Sequence, residues 1–290
     1  MSIPEHISKE IVARLGTDYS PHEAGFIGGG SINEAAYMLC KKGKFFIKWN
    51  SASRYPAMFE IEARSLELLQ GKSALRIPQP LLSGESEKDA FLLTEFIESA
   101  PPAKDFWRTF AFGLAELHRN SNAHFGLAFD NYIGSLRQSN TQHSGWADFF
   151  VEERLLAQIR MARDNGLLGR EHSRQFERLF HKVEYIFPEE KPALLHGDLW
   201  SGNFMTDEQG NACIFDPAVY YGHRIMDIGM TKMFGGFSPE FYQHYNEAFP
   251  MESNWTEQVE VANLYPTLVH LNLFGSGYLS GIVRVLKRFA

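Results

Sequence analysis

An aspartate and an asparagine five residues apart, Asp198 and Asn203 in the stretch His196-Gly197-Asp198-Leu199-Trp200-Ser201-Gly202-Asn203-Phe204, form a pair suited to phosphoryl transfer. In that reaction a carboxylate orients the attacking hydroxyl and accepts its proton, while an amide oxygen helps hold magnesium on the nucleotide phosphates. A further carboxylate ends the apolar run Ile214-Phe215-Asp216-Pro217, where a second metal-binding acid would stand. Gly, Asp, Ser and Asn are also ordinary turn residues, so a polar turn between strands is the competing reading. The ordered set of His, Asp, Asn and a downstream Asp favours the chemical one. Asp198 is therefore the candidate base, with Asn203 and Asp216 as candidate magnesium ligands.

These groups need elements to position them and a partner that grips the nucleotide. Ile3, Ile7, Ile11 and Leu15 recur every four residues and predict an opening helix that Gly16 ends. Gly28-Gly29-Gly30-Ser31 then lies between two strand-like runs, where bare backbone N–H groups could approach a polyanion, although hairpin loops use glycine too. The next strand, Lys44–Trp49, carries Lys48 late along its length, as expected of the lysine that binds phosphates. Lys44 lies too near the turn. The spacing of Met58, Phe59, Ala63, Leu66 and Leu69 predicts a helix over Pro56–Leu69, from which Glu62 would hold Lys48; Glu60 points to a different face. A hairpin of Leu81–Ser83 and Phe91–Ile97, joined by the loop Gly84–Asp89, follows. Its exit at Glu95, Phe96 and Ile97 is the expected hinge whose backbone receives adenine.

From Ala103 the pattern turns helical, with helices predicted over Phe106–Arg119, Trp146–Asn165 and Arg170–Phe187 and a strand over Asn211–Asp216. A β-rich first third and a helical remainder predict an α+β, two-lobed fold. Its nucleotide-binding lobe would cover residues 1–100 and its larger helical lobe residues 101–290, with the chemistry in the cleft between them.

The 290 residues carry a net charge of −7, which argues against nucleic acid as the main partner. The N-terminus shows neither the basic nor the apolar part of a secretory signal. Thr267–Leu286 is apolar but interrupted by His270, Asn272 and Arg284, which predicts one buried C-terminal helix instead of a membrane span. Cys40 and Cys213 have no metal-ligand spacing and read as core residues of a cytoplasmic protein. Oligomeric state leaves no mark in the sequence.

Over nearly its full length the chain resembles the fructosamine/ketosamine-3-kinases, a branch of the protein-kinase-like fold that also holds aminoglycoside phosphotransferases and choline kinases. The resemblance rests on Gly28–Ile32, Met58-Phe59-Glu60 with Glu62, Gln138-Ser139-Asn140, Trp146, Phe149-Phe150 and Arg154. It continues through His196–Asn203, Asp216-Pro217-Ala218, Tyr221-Gly222-His223 and Met233–Phe237. Trp200, directly after Asp198-Leu199, and the Phe-Gly-Gly-Phe block are the features particular to this branch. Two departures stand out. Ile225 and Met226 replace an acidic position of many relatives, leaving Asp227 for a structural role. Ser31 replaces a cysteine of several relatives, which removes the basis for a redox switch in the glycine loop.

The resemblance implies ATP-dependent, magnesium-assisted phosphorylation of the O3 hydroxyl of a ketoamine, free or protein-bound. The product would decompose and release the amine, a deglycation repair step. Asp198 would be the base, Lys48 with Glu62 and Gly28–Ser31 would bind the nucleotide, and Trp200 and His223 would meet the substrate. His196 would brace the loop. A kinase of another hydroxylated amine, of aminoglycoside or choline type, is the alternative that Trp200 speaks against. A catalytically dead nucleotide-binding scaffold is disfavoured because Lys48, Glu62, Asp198, Asn203 and Asp216 are all kept.

Overall fold

Period-two alternation builds the first sheet. In β2 (Glu34–Cys40) the side chains of Ala36, Met38 and Cys40 are buried, and in β3 (Gly43–Ser51) those of Phe45, Ile47 and Trp49 join the same core. With β1 (Glu23–Phe26), β4 (Pro80–Ser86) and β5 (Asp89–Glu95) they form an antiparallel five-stranded sheet in the order β1-β2-β3-β5-β4. Helix α1 (Glu5–Leu15) closes this core with Ile7 and Ile11. Helix α2 (Met58–Gln70) packs on β4 and β5, burying Met58, Phe59, Leu66 and Leu69. This computed structural model describes residues 3–28 and 32–290, so the expectations placed on Gly29, Gly30 and Ser31 lie outside the described residues.

The chain divides into two units. The first comprises Met1–Phe106 together with Met205–Asp216; the second comprises Trp107–Phe204 and Pro217–Ala290. A single cut near residue 100 misses the return of Met205–Asp216 to the first unit. That return is stitched by backbone bonds from Ala100 N–H to the Asp207 carbonyl (3.1 Å), Ala103 N–H to Gly210 (3.0 Å) and Ile214 N–H to Arg76 (3.0 Å).

The second unit is mainly helical: α3 (Phe106–His118), α4 (Trp146–Phe149), α5 (Ala157–Asp164), α6 (Arg170–Phe180), α7 (Val183–Ile186), α8 (Ile225–Met233), α9 (Pro239–Ala248), α10 (Trp255–Ala262), α11 (Leu264–Phe274) and α12 (Leu279–Phe289). Short strand pairs stiffen its loops: β6 (Asn131–Ile133) with β7 (Leu136–Gln138), and β8 (Ala193–Leu195) with β11 (Tyr220–Gly222). A further short pair, β9 (Phe204–Thr206) and β10 (Ala212–Ile214), runs through the return segment.

Several expectations are corrected. The loop expected over Gly84–Asp89 shrinks to Glu87-Lys88, since Glu87 takes φ +54° and both strands run on to meet it. The helix expected over Trp146–Asn165 contains a π-helical segment, Phe150–Leu156, between α4 and α5. That expected over Arg170–Phe187 breaks at His181-Lys182. The single C-terminal helix is two, because Gly275 at φ +92° ends α11. Among the described residues no helix is long and apolar enough to cross a membrane.

Candidate active site

In the first unit Lys48 leaves the face of β3 opposite the α1 core and is buried. Its Nζ lies 2.5 Å from Glu62 Oε1 on α2 and 2.6 Å from Asp216 Oδ1. Two carboxylates thus surround one ammonium. Burial works to depress the lysine, but Asp216 and Glu62 together outweigh it and hold its pKa above the ordinary value. Burial pushes the Glu62 carboxyl up to about 7, with Lys48 pulling it down and Asp216 adding to the rise. The surplus negative charge makes this a place for a cation. Asp216, half-exposed, takes φ +54°, a conformation that an Asp tolerates better than most residues. Glu60, the rejected alternative, is exposed.

The side chains of Glu95, Phe96 and Ile97, expected at a hinge, have structural tasks. Glu95 pairs with Arg76 and accepts the Gln79 N–H at 2.7 Å. Phe96 lies under the Lys44 ammonium at 3.8 Å, and Ile97 is buried. Gly28 is exposed, and a Cβ there would meet nothing within 4 Å, so this glycine is not demanded by packing.

In the second unit β8 ends at Leu195 and delivers the loop carrying Asp198. Gly197, at φ +85°, is required: a Cβ would come 2.0 Å from the Ala218 carbonyl. His196 is buried, and its Nδ1 accepts the Asp198 N–H at 3.3 Å, a brace for the loop. The Asn203 amide nitrogen donates to both the Asp198 carbonyl (2.8 Å) and Oδ2 (3.0 Å). Asn203 thus fixes the carboxylate, with its amide nitrogen committed to Asp198. Asn203 in the second unit and Asp216 in the first each carry a hard oxygen donor of the kind that magnesium accepts.

Trp200 folds back over Gly202, where a Cβ would fall 2.2 Å from the indole. The next turn explains the Phe-Gly-Gly-Phe block. Gly235 and Gly236 take φ +75° and +92°, and a Cβ at Gly236 would strike Ser201 at 2.5 Å. This double turn sends Phe237 into a cluster with Trp107, Phe110, Phe204 and Phe241, while Phe234 meets Trp200 edge-on at 5.6 Å.

His223, expected at the substrate, is instead buried among Trp146, Phe187 and Glu190. Its Nδ1 accepts the Ile225 N–H at 3.3 Å. Burial pushes the imidazole down to about 4, although Glu190 pulls the other way. A histidine whose folded pKa is depressed contributes stability that is present above its unfolded pKa near 6.5 and is lost as pH falls toward 4. The cost is on the order of 3 kcal/mol across that window. His223→Gln should therefore flatten the acid loss of stability between pH 6.5 and 4 in urea unfolding. An unchanged pH slope would mean that His223 is not held neutral. Ile225 and Met226 are likewise buried in α8, so no substrate contact is read from their departure.

Two groups of residues have surroundings that the sequence does not show, Asp227 among them although a structural role is expected for it. Asp227, also buried in α8, accepts the N–H groups of His196 (2.8 Å) and Gly197 (2.9 Å) and lies 3.2 Å from His118 Nε2. A lone acid amid Ile225, Met226, Ile228 and Met230 is the sequence signal of a satisfied buried carboxylate. The second group is a polar network around Arg154, buried in the π-helical segment. Its guanidinium donates to Asn140 Oδ1 (2.7 Å) and to the Ser139 carbonyl (2.6 Å), and stacks on Tyr220. Asn140 passes the chain of bonds to Asn131, and Asn131 and Gln138 hold the Val219 and Ala218 carbonyls. Ala218 is the residue against which Gly197 packs.

The sequence profile of a family described as fructosamine kinase matches residues 3–290. An Enterococcus faecium protein named "probable ketoamine kinase" is 36% identical over 263 residues, 90% of this chain and 93% of its own length. A chloroplastic protein-ribulosamine 3-kinase of Arabidopsis thaliana is 36% identical over 277 residues, 91% of this chain and 82% of that protein. A Haemophilus somnus crystal structure assigned as a fructosamine-3-kinase superposes with a TM-score of 0.89 at 27% identity, covering 98% of this chain and 97% of that one.

Proposed function

We propose, since the chain belongs to the fructosamine kinase family and has its kinase-like α+β fold, that it transfers the γ-phosphoryl group of ATP to the O3 hydroxyl of a ketosamine. The observation that carries the reading is the double hydrogen bond from Asn203 to Asp198, which fixes a half-buried carboxylate beside Trp200. Asp198 orients the O3 hydroxyl and takes its proton as the oxygen–phosphorus bond forms and the bond to the departing ADP breaks. Lys48, aimed by Glu62, binds the nucleotide phosphates, with the Glu95–Ile97 backbone at adenine. Asn203 and Asp216 are the proposed magnesium-holding groups; bound there, magnesium would neutralise phosphate charge. Trp200 supplies a flat apolar wall for the sugar.

The product explains the use of such an enzyme. A phosphate on the carbon next to the ketoamine carbonyl is lost once the adduct enolises toward the nitrogen-bearing carbon, and hydrolysis then frees the amine. The activity is accordingly a deglycation repair step, assigned here to the cytoplasm. A screen of ATP consumption over ribulosamines, fructosamines, kanamycin and choline tests it. Phosphorylated ketoamine, seen by phosphorus NMR, is the expected result, with kanamycin and choline ignored. Efficient turnover of kanamycin or choline with no ketoamine product would overturn the substrate assignment.

A further inference from the structure

The rings of the second unit continue outward from the catalytic loop. From Trp200 the next centroid is Phe234 at 5.6 Å, then His270 at 5.0 Å, then Tyr278 at 5.1 Å, with Phe274 5.5 Å from His270. Phe234 and Phe274 are 43% and 54% exposed, which for phenylalanines linked into one ring series is an uncovered apolar surface. Local structure accounts for its placement. Helix α11 buries Leu264, Tyr265, Leu268, Val269 and Leu271, which leaves His270 and Phe274, one turn apart, on its open side. The turn after Gly275 then brings Tyr278 back against both.

His270 gives the shelf a polar point. Its Nδ1 bonds the Pro266 carbonyl at 2.7 Å, so it carries the proton and Nε2 is left as an acceptor. Burial lowers its pKa, which keeps the ring uncharged near neutrality. None of the five side chains is a cation. A string of four rings also exceeds what one pentose or hexose covers, so the part beyond Trp200 needs another portion of the substrate.

We infer that this shelf binds the carbon arm carried on the ketoamine nitrogen, and that it selects unbranched alkyl arms over arms bearing a carboxylate beside the nitrogen. This inference rests on the ketosamine reading above. An alkyl arm covers apolar ring surface, and the ketoamine's secondary ammonium gains from the aromatic faces. A carboxylate at that place would meet rings and an imidazole kept neutral by burial, none of which is a counter-charge. The shelf is continuous with Trp200, two residues from Asp198, so an arm on the sugar undergoing phosphorylation leads onto it.

The test compares the ribulose adducts of methylamine, n-butylamine and glycine. Three extra methylenes, half-covered on the shelf, should raise kcat/KM for the butylamine adduct about tenfold over the methylamine adduct, through KM. The glycine adduct should be the poorest of the three. In Phe274→Ala and Tyr278→Ala the butylamine-to-methylamine ratio should collapse toward one, while Phe274→Leu, which keeps apolar area, should retain most of it. A ratio near one in the unaltered protein, or the full ratio in both alanine variants, overturns the inference while leaving the ketosamine reading intact. Absence of turnover with every adduct overturns both. Sedimentation of the same variants covers the other possible occupant: a dimer that dissociates on Phe274→Ala, with the arm preference unchanged, would assign the shelf to a second copy of this chain and overturn the inference.

Discussion

Asp198→Asn should lower turnover by about two to four orders of magnitude, the range expected when a general base is lost, and leave nucleotide affinity nearly unchanged. The substitution is close to isosteric. Its side-chain oxygen can still accept from the Asn203 amide, which now bonds Oδ2 at 3.0 Å, so the loop should keep its shape. What disappears is the capacity to take a proton from the acceptor hydroxyl. The groups proposed to grip the nucleotide are untouched, because Lys48, Glu62 and Asp216 belong to the first unit and Lys48 is joined to the other two at 2.5 and 2.6 Å. Turnover from a coupled ADP assay and affinity from a fluorescent ATP analogue separate the two effects. Retention of more than a tenth of the activity would remove Asp198 from the role of base. Loss of nucleotide binding at unchanged stability would place it instead among the nucleotide-binding groups.

The sequence was most legible where period and chemistry coincide. Alternation along Ala36–Cys40 and Phe45–Trp49 marked strands, and the late lysine on the third of them was found from its place in the strand. Glu62 is expected at Lys48 from the kinase pattern, with Glu60 on a different helix face, and Glu62 does meet Lys48 while Glu60 is exposed. Legibility failed where tertiary contacts override local pattern. Nothing in Phe150–Leu156 announces a π-helical segment, because the insertion serves Arg154, whose partners at Ser139 and Asn140 are distant in sequence. His223 was placed at the substrate by family pattern. Its neighbours Trp146, Phe187 and Glu190 come from two other segments, so its burial could not be read from Tyr221-Gly222-His223. The three-residue strands β8 and β11 carry too few residues for alternation to show, yet they deliver and brace the loop that carries Asp198.

The Asp227→Ala variant should show how far that loop depends on a residue that does no chemistry. The carboxylate accepts two backbone N–H groups, from His196 at 2.8 Å and Gly197 at 2.9 Å, immediately before Asp198. It also faces His118, whose other ring nitrogen lies 2.7 Å from the Tyr245 hydroxyl. All of this is buried, so alanine leaves the two N–H groups without an acceptor and water cannot readily replace it. At roughly 1–3 kcal/mol for each orphaned donor, the loss is on the order of 2–6 kcal/mol. That corresponds to a fall in Tm of about ten degrees for a chain of this size. Gly197 takes φ +85°, so the same N–H bond also holds a conformation that other residues would resist. Turnover should consequently fall even below the melting temperature, with ATP affinity much less affected. Asp227→Asn should be intermediate, because its amide can accept one of the two bonds but opposes the other with its own N–H. Thermal unfolding by near-ultraviolet circular dichroism, with amide exchange at His196 and Gly197, measures both consequences. A Tm within two degrees of the unaltered protein, or unchanged exchange at those two amides, would show that the loop is held mainly by β8 and the Arg154 network instead.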